Sequence, residues 1–317
     1  MKPPKFYSSI ILRFRSWDRF LLRFADRYDL EHIPPETMER VRECMIYFIC
    51  IRPIISILPE TFKKNGDHYE FALQYRAGGK DRLLPVKFPK EVKLDFGGEV
   101  KVSDYPHTAI HSFDADGQLI SDLLVANMVH LLEGIAAELS GLEVVYIGKG
   151  TADCALDRLD GHSTLEKILA DLLRKEPNKE VALLLMKFKL QKDIIRPETP
   201  IAQQAEIRGP KADQHFTKIM KYQPDIEEQT KIVEAMLIDY FKTSVYNTHY
   251  VNGLSENLAV LRNVYKLDFD AVIAEVDTEN IGGISLYSQN VSPAYHHDAI
   301  LDIRKQEGRF SVLEPRS

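Results

Sequence analysis

The sequence predicts an α+β fold, in which a small mixed or antiparallel sheet is flanked by helices and preceded by an additional α+β module. From residue 142 onward, two apolar runs alternate with two amphipathic helical patterns, which is the main support for this fold class. Before them, alternating apolar and polar residues indicate half-buried strands. The composition, with 44% hydrophobic and 28% charged residues in 317, is typical of a globular protein of about two domains.

Bulk properties exclude several classes of protein. A net charge of −6 means that any nucleic-acid contact needs a local basic patch. Cys44, Cys50 and Cys154 show no paired spacing, which predicts a reducing compartment and no structural zinc. We see no signal peptide, and the most apolar segment, 45–58, is too short to cross a bilayer. We therefore expect a cytoplasmic protein without stable membrane insertion and leave its oligomeric state open.

The first 27 residues carry seven Lys or Arg and two Asp. Aromatic residues are interleaved with them, namely Phe14, Trp17, Phe20 and Phe24. One interpretation is an amphipathic helix facing phosphate or a membrane surface, since arginine pairs with phosphate and stacks on bases. The other is a helix or strand packed on the body, with its arginines paired to acidic residues elsewhere. On the first interpretation, Arg13, Arg15, Arg19 and Arg23 bind nucleic acid.

The rest of the first 104 residues predicts a separate module without evident chemistry. A helical pattern covers 36–51 and ends before Pro53. Alternation over 68–76 indicates a half-buried strand, and alternation on both sides of Gly97 and Gly98 indicates a hairpin over 92–102.

Residues 105–250 predict a second domain, and residues 251–317 predict a strand-rich extension. The expected elements of the second domain are a strand at 107–113, a helix at 121–139 with Ser121 as cap, strands at 142–150 and 180–190, helices at 162–175 and 226–241, and a Pro- and charge-rich excursion at 191–224. In the extension, His296, His297 and Asp298 do not predict a metal site, because adjacent side chains on a strand point to opposite faces.

The strand at 142–150 ends in VVYIGKG, an apolar run closed by two glycines around a lysine. Two polar residues lie on this strand, Tyr146 and Lys149. Others lie on the elements expected after it: Arg158, His162, Glu234 and Asn247. Three features stand in this order: Tyr146-Ile147-Gly148, an arginine followed four residues later by a histidine, and a Glu-x-x-Leu-Ile helix closed by Tyr-Asn. They resemble motifs of the GIY-YIG nuclease superfamily.

The first motif of that family, Gly-Ile-Tyr, is not evident. In the family it lies on a strand that precedes the Tyr-Ile-Gly strand and pairs with it as a hairpin, whereas here a helical pattern intervenes. The nearest match, Gly134-Ile135-Ala136, lacks the tyrosine. Alternatively, 107–113 is the missing strand, which would place Tyr105 or His111 near the tyrosine position. Both alternatives remain open.

The resemblance implies a metal-dependent endonuclease that hydrolyses DNA or RNA, with DNA as the favoured partner. Glu234 would bind Mg²⁺ or Mn²⁺, and Arg158 would hold the phosphate. Tyr146, or a tyrosine or histidine of the first strand, would help deprotonate water. Lys149 would lower a phenol pKa or contact phosphate.

His162 would donate a proton or support the site, and Asn247 would orient a neighbour by hydrogen bonding. The glycines around Lys149 would let the backbone approach the scissile group. Two other classes of function stay in view: a catalytically degenerate relative that binds nucleic acid or a protein partner, and an α+β interaction protein whose motifs match by chance. Structurally, Tyr146 is equally suited to a core, and Arg158 to a salt bridge with Glu234.

Overall fold

Alternating side chains make the N-terminal segment a long strand, and the amphipathic helix of our first interpretation does not form. Leu12 and Phe14 are buried, whereas Arg13 and Arg15 lie on the opposite face. The computed structural model describes residues 6, 8–28, 30, 33–88, 94–132, 139–150, 154–159, 161–195, 205, 207, 209–243, 245–247 and 261–303.

Within these residues the chain forms fourteen strands and five α-helices. The first half contains β1 (Ser9–Arg23), α1 (Pro35–Arg42), β2 (Ile46–Pro53), β3 (Ser56–Ile57), β4 (Lys63–Asn65), β5 (His68–Ala77), β6 (Lys80–Phe88), β7 (Gly97–Val102), β8 (Ala109–Asp114) and β9 (Leu119–Leu124). The second half contains β10 (Gly141–Lys149), α2 (Ser163–Lys175), β11 (Lys179–Ile195), α3 (Pro210–Lys221), α4 (Ile226–Phe241), α5 (Arg262–Lys266), β12 (Ala271–Asp277), β13 (Ser285–Tyr287) and β14 (His296–Asp302).

The largest sheet has the order β13-β10-β2-β11-β1-β12-β14 and curls into a nearly closed barrel. The pairs β1–β12 and β10–β13 are parallel, and the other pairs are antiparallel. Leu286 and Ala294 exchange backbone hydrogen bonds where the two edges approach. The Nε2 of buried His297 lies 3.0 Å from the carbonyl oxygens of both residues, so this side chain ties the edges together.

Helix α4 fills the inside of the curved sheet. It is apolar on nearly all sides, as expected for a helix without a solvent-facing stripe. Its side chains pack against β2, β10, β12 and β14 in the main hydrophobic core. We call this side of the sheet the inner face.

The outer face of the sheet carries a second core. Tyr47, Ile49, Leu183 and Leu185 point to this side, and α2 covers them with Leu165 and Ile168. Because β2 is covered on both faces, seven of its eight residues are buried. A continuous apolar run of this kind does not show helical or strand periodicity, which is why the helix predicted over 36–51 is wrong beyond α1.

Two smaller sheets occupy the chain between β2 and β10. One has β3, β4 and β6 around β5, and the other has the order β7-β8-β9. They share a core of their own, which includes Phe71, Leu73 and Ile110. Arg52 of β2 connects this core to the main sheet, because its buried guanidinium donates to Glu180, to the Ala126 carbonyl and to Asn127.

The predicted fold class is therefore wrong: a large, nearly closed mixed sheet with two further sheets replaces the small sheet flanked by helices. The error arises because strands from residues 1–104, 105–250 and 251–317 all join the large sheet. Long-range pairing of this kind leaves no local pattern in a sequence.

Individual elements were predicted more successfully than the architecture. The helices at 162–175 and 226–241 and the strands at 68–76, 142–150 and 180–190 are confirmed. The helix at 121–139 is wrong over its described part, where β9 is followed by short 3-10 turns, and residues 133–138 lie outside the described chain. The hairpin predicted over 92–102 is wrong in its described part, because Gly97 and Gly98 lie inside β7, which pairs with β8.

Two findings concern the predictions about membrane insertion and about the cysteines. Among the described residues no helix has the length and apolar character needed to cross a membrane. All three cysteines are buried free thiols.

Candidate functional site

The Tyr-Ile-Gly strand lies next to a second tyrosine that the sequence did not reveal. β10 pairs antiparallel with β2, with Gly148 opposite Tyr47 and Ile147 opposite Phe48. Ile46 and Tyr47 thus lie on the strand that pairs with the Tyr-Ile-Gly strand. The 87 residues between the two strands, 54–140, hide this pairing from any local motif search.

A β-bulge gives Tyr146 its orientation. The register of β10 on β2 shifts between Val144 and Tyr146. Leu142 and Val144 before the shift, and Ile147 after it, all belong to the inner core. Tyr146 instead packs with the outer-face residues, because the extra residue reverses the alternation. The bulge thus places Tyr146 and Tyr47 on the same face, with ring centroids 6.1 Å apart.

The two glycines of the loop are required by close packing. A Cβ on Gly148 would lie 2.5 Å from Cζ of Tyr47 and 2.9 Å from Cε1 of Tyr146. A Cβ on Gly150 would lie 2.6 Å from the carbonyl carbon of Cys154. Gly148 therefore makes room for the Tyr47 ring, and Gly150 lets the following segment return against the strand. This differs from the predicted approach of the backbone to a scissile group.

Asn247 fixes the same strand from its other side. Its Oδ1 accepts from the Ile147 backbone N–H at 3.0 Å, and its Nδ2 donates to the Ile147 carbonyl at 2.7 Å. Thr243 donates to the same Oδ1 at 2.7 Å. Since β13 covers β10 only at residues 141–143, the Asn247 amide substitutes for a neighbouring strand at Ile147. The predicted orienting residue thus orients the backbone of the Tyr-Ile-Gly motif.

His162 connects the helix α2 to Tyr47. It is the N-cap of α2, and its Nδ1 accepts from the Leu165 backbone N–H at 3.1 Å. A neutral imidazole with Nδ1 as acceptor carries its proton on Nε2. That nitrogen lies 2.9 Å from the Tyr47 hydroxyl and so donates to it. Burial lowers the pKa of His162, and the nearby Arg158 charge lowers it further, so the neutral form is favoured.

The hydroxyl groups of Tyr47 and Tyr146 influence each other's pKa. The Tyr47 oxygen accepts from His162, which leaves its own O–H to act as a donor toward Tyr146. The pKa of Tyr47 is raised, first by burial and then by the neighbouring Tyr146. The pKa of Tyr146 is also raised by burial, while the hydrogen bond from Tyr47 acts in the opposite direction. Tyr47 is only 1% exposed, whereas Tyr146 is partly exposed, so Tyr146 is the phenol that solvent reaches.

Arg158 supplies positive charge to this cluster. It lies in a short turn, Asp157–Leu159, and its side chain is exposed. Its charge lowers the pKa of Tyr47, Tyr146 and His162. For the two phenols this effect opposes burial, which raises their pKa. Within the described chain it makes no ion pair, including the expected salt bridge with Glu234.

Glu234 approaches the site from α4. Its side chain is 8% exposed and forms an ion pair with Lys149. Its negative charge raises the pKa of both Tyr47 and Tyr146, so it lies within electrostatic range of the phenols. Lys149 is thus held by the carboxylate, and the predicted influence of a cation on the phenols comes from Arg158.

One carboxylate at this position fits Mg²⁺, which commonly takes one or two protein carboxylates and completes its shell with water and substrate phosphate. Glu234 is the carboxylate at this position, and it is ion-paired with Lys149. The described residues contain no cluster of three or more acidic, histidine or cysteine ligands, so a site that depends mainly on protein ligands is not formed there.

The arginines predicted to bind nucleic acid are paired with carboxylates. Arg13 binds Asp193 and Glu275, Arg15 binds Glu275, and Arg23 binds Asp26. Arg19 lies 3.9 Å from Asp277 and donates to the Ser16 carbonyl. This is the second of our two interpretations, in which the basic segment is satisfied by acidic residues elsewhere.

The other candidates for the first motif lie elsewhere. His111 is on β8 in a different sheet, and Tyr105 is 88% exposed on a loop before that strand. Gly134-Ile135-Ala136 lies outside the described residues. The strand that does pair with the Tyr-Ile-Gly strand is β2, whose Ile46-Tyr47 lies in a continuous apolar run.

No family model, no curated protein and no solved structure matches the chain. The resemblance to the GIY-YIG nuclease superfamily therefore depends on the motif residues of the sequence.

Proposed function

We propose that the protein is a metal-dependent endonuclease that hydrolyses phosphodiester bonds of DNA or RNA. One observation carries the proposal: two tyrosines from adjacent antiparallel strands, a neutral histidine and an exposed arginine meet at one end of the sheet, beside a buried carboxylate. This combination offers a base, a cation for phosphate and a metal ligand, which are the groups that phosphodiester hydrolysis needs.

Tyr146 is the residue proposed to accept a proton from water. Its oxygen accepts a hydrogen bond from Tyr47, which stabilises the phenolate, and Arg158 favours the phenolate by its charge. Tyr47 acts as a positioning residue, because it is buried and is itself held by His162 Nε2–H. Asn247 keeps Tyr146 in place through the backbone of the next residue.

Arg158 is proposed to bind the scissile phosphate, because its exposed guanidinium has no carboxylate partner among the described residues and matches two phosphate oxygens at once. Glu234 would hold Mg²⁺, which supplies Lewis acidity to the phosphate when bound. Lys149 would leave Glu234 at that stage and remain beside the negative charge of the substrate.

Plasmid nicking tests the proposal. Wild-type protein with MgCl₂ should convert supercoiled plasmid to open circles, and the Arg158→Ala variant should lose at least about a hundredfold in rate. Arg174→Ala is the matched control, because Arg174 is exposed at the other end of α2 and, among the described residues, pairs with Asp171. It should retain wild-type nicking.

Absence of cleavage of plasmid, single-stranded DNA and RNA, with either Mg²⁺ or Mn²⁺, would overturn the proposal. If the wild-type protein shifts these nucleic acids in a salt-sensitive manner without cutting them, the non-catalytic binding function would replace it.

A further inference from the structure

Trp17, the single tryptophan of the chain, is exposed to solvent. Its relative accessibility is 58%, although tryptophan is highly buried on average. It lies in a β-bulge of β1, where the register on β11 shifts between Ser16 and Arg19. The neighbouring bulge residue, Asp18, is buried and held by Arg40 of α1. Bulges commonly redirect a side chain, and here the indole points away from the protein body.

Trp17 lies on the same face of the sheet as the candidate site. Tyr47 of β2 is opposite Leu185 of β11, and side chains 185, 187 and 189 share the outer face by alternation. Lys189 contacts the indole directly. Four residues of strand separate the level of Tyr47 from that of Lys189, or about 13 Å. Trp17 on β1 and Tyr146 on β10 are also three strand spacings apart, or about 14 Å, so the two sites are about 20 Å from each other. This distance corresponds to about six stacked nucleotides at roughly 3.4 Å each.

A cation lies against the aromatic ring. The Nζ of Lys189 is 3.5 Å from the indole centroid, within the range of a cation–π interaction. The Arg15 side chain on the same face is 53% exposed and donates through Nε to Glu275. Because Glu275 and Asp193 compensate the nearby arginines, stacking would contribute more to binding here than net charge.

We infer that Trp17 and Lys189 form a second binding site, which takes an unpaired base of a nucleic-acid strand through stacking, with the lysine beside the adjoining phosphate. The inference rests on the proposed function, because the same strand would place a phosphodiester at Tyr146 and Arg158. A substrate with an unpaired segment of about six nucleotides next to the cleavage position would engage both sites.

The fluorescence of Trp17 reports on this site without interference, because the chain has no other tryptophan. We would titrate the protein with 12-nucleotide DNA and RNA strands in EDTA, where metal-dependent cleavage does not occur. A stacked base should quench the indole emission as the strand binds. Anisotropy of a fluorescein-labelled strand should show an affinity about tenfold weaker for Trp17→Leu than for wild type.

Tyr105→Leu is the matched control, since Tyr105 is an exposed aromatic residue in the segment between β2 and β10. It should bind the strand as wild type does, and Trp17→Phe should lose less affinity than Trp17→Leu. Circular dichroism and thermal midpoints identify any variant that fails to fold.

Unchanged Trp17 emission at strand concentrations that saturate the anisotropy signal would overturn the inference. Equal affinities for Trp17→Leu and Tyr105→Leu would overturn it as well, and so would the absence of binding by wild type. Quenching without nicking in Mg²⁺ would instead support the inference and remove the proposed nuclease function.

Discussion

Arginines occur in two regions of this molecule, and the two regions differ in what surrounds them. On β1, Arg13 and Arg15 share the buried carboxylate of Glu275. In the candidate site, Arg158 is exposed, has no acidic partner in the described chain and lies within electrostatic range of two tyrosines and a histidine. The number of arginines in a segment therefore says little about the charge available to a ligand.

The difference has a structural cause. β1 lies between β11 and β12, so its outward arginines meet acidic side chains on both neighbouring strands and on β14 beyond them. Such pairs align the strands, and partly buried pairs resist exchange of their carboxylate for phosphate. Arg158 lies on a short turn ahead of α2, where neither neighbouring strand reaches it.

The two regions should differ most in catalysis. Arg158→Ala should reduce the nicking rate by about 10² to 10³, because the phosphate loses its principal cation. Arg15→Ala should change the rate by less than about threefold, since Arg15 is already neutralised by Glu275. Nicking rates at saturating Mg²⁺ measure both. Equal losses in the two variants would contradict the distinction between paired and available arginines.

Tyr47→Phe should slow nicking at neutral pH by about a hundredfold. The change removes the O–H that donates to Tyr146, so the pKa of Tyr146 rises further and less phenolate is present at a given pH. The pH–rate profile should therefore shift to higher pH, which a purely structural role for Tyr47 would not produce. Tyr240→Phe, which alters a hydroxyl bonded to His297, is the control and should leave the profile unchanged.

Asn247→Ala should destabilise the fold by about 2 kcal/mol, because the buried N–H and C=O of Ile147 lose their partners. Urea unfolding measures this change in free energy. Asn263→Ala, which removes an exposed hydrogen bond to Glu228, should cost no more than about 0.5 kcal/mol. Similar costs for the two variants would show that the Asn247 clamp contributes little.

Glu275→Gln should make the arginines of β1 more available to a ligand, as Arg158 is in the candidate site. It frees Arg13 and Arg15 from their shared carboxylate, so the salt dependence of nucleic-acid binding should steepen by about one unit of slope. The expected gain in affinity at low salt is a few-fold. Binding titrations between low and physiological salt provide the measurement, and an unchanged slope would mean that these arginines do not reach the bound strand.

The smallest predicted effect concerns stability at mildly acidic pH. Burial lowers the pKa of His162 and of His297 below the ordinary value of 6.5. The unfolded chain then takes up protons before the folded chain as pH falls below 6.5, so stability is complete above this pH and decreases below it. His162→Asn, which retains an N-cap side chain, should weaken this pH dependence of the unfolding midpoint. His296→Asn, at an exposed histidine, should not.

Prediction from sequence succeeded where the signal was local. Periodic apolar residues identified α2 and α4, although the N-cap of α2 is His162 rather than Ser163, which the sequence suggested. The apolar run at 142–150 identified the Tyr-Ile-Gly strand. The sequence also brought attention to Arg158, His162, Glu234 and Asn247, which the structure places at or beside that strand.

Prediction failed where the answer depended on long-range pairing. Tyr47 was missed because the β2 run is apolar on both faces and 87 residues separate β2 from its partner strand β10. The bulge at Val144 to Tyr146, which turns Tyr146 toward Tyr47, exists only as a register between two strands.

The sequence by itself determined the helices that carry Glu234 and His162, the strand that carries Tyr146 and the small residues that let these elements approach. Tertiary structure alone decided which tyrosine joins Tyr146, which arginines remain available and how the sheet curls around α4. The physical reason is that helical periodicity and capping depend on neighbours a few residues apart, whereas charge compensation and strand register depend on residues up to 262 positions apart, such as Arg13 and Glu275.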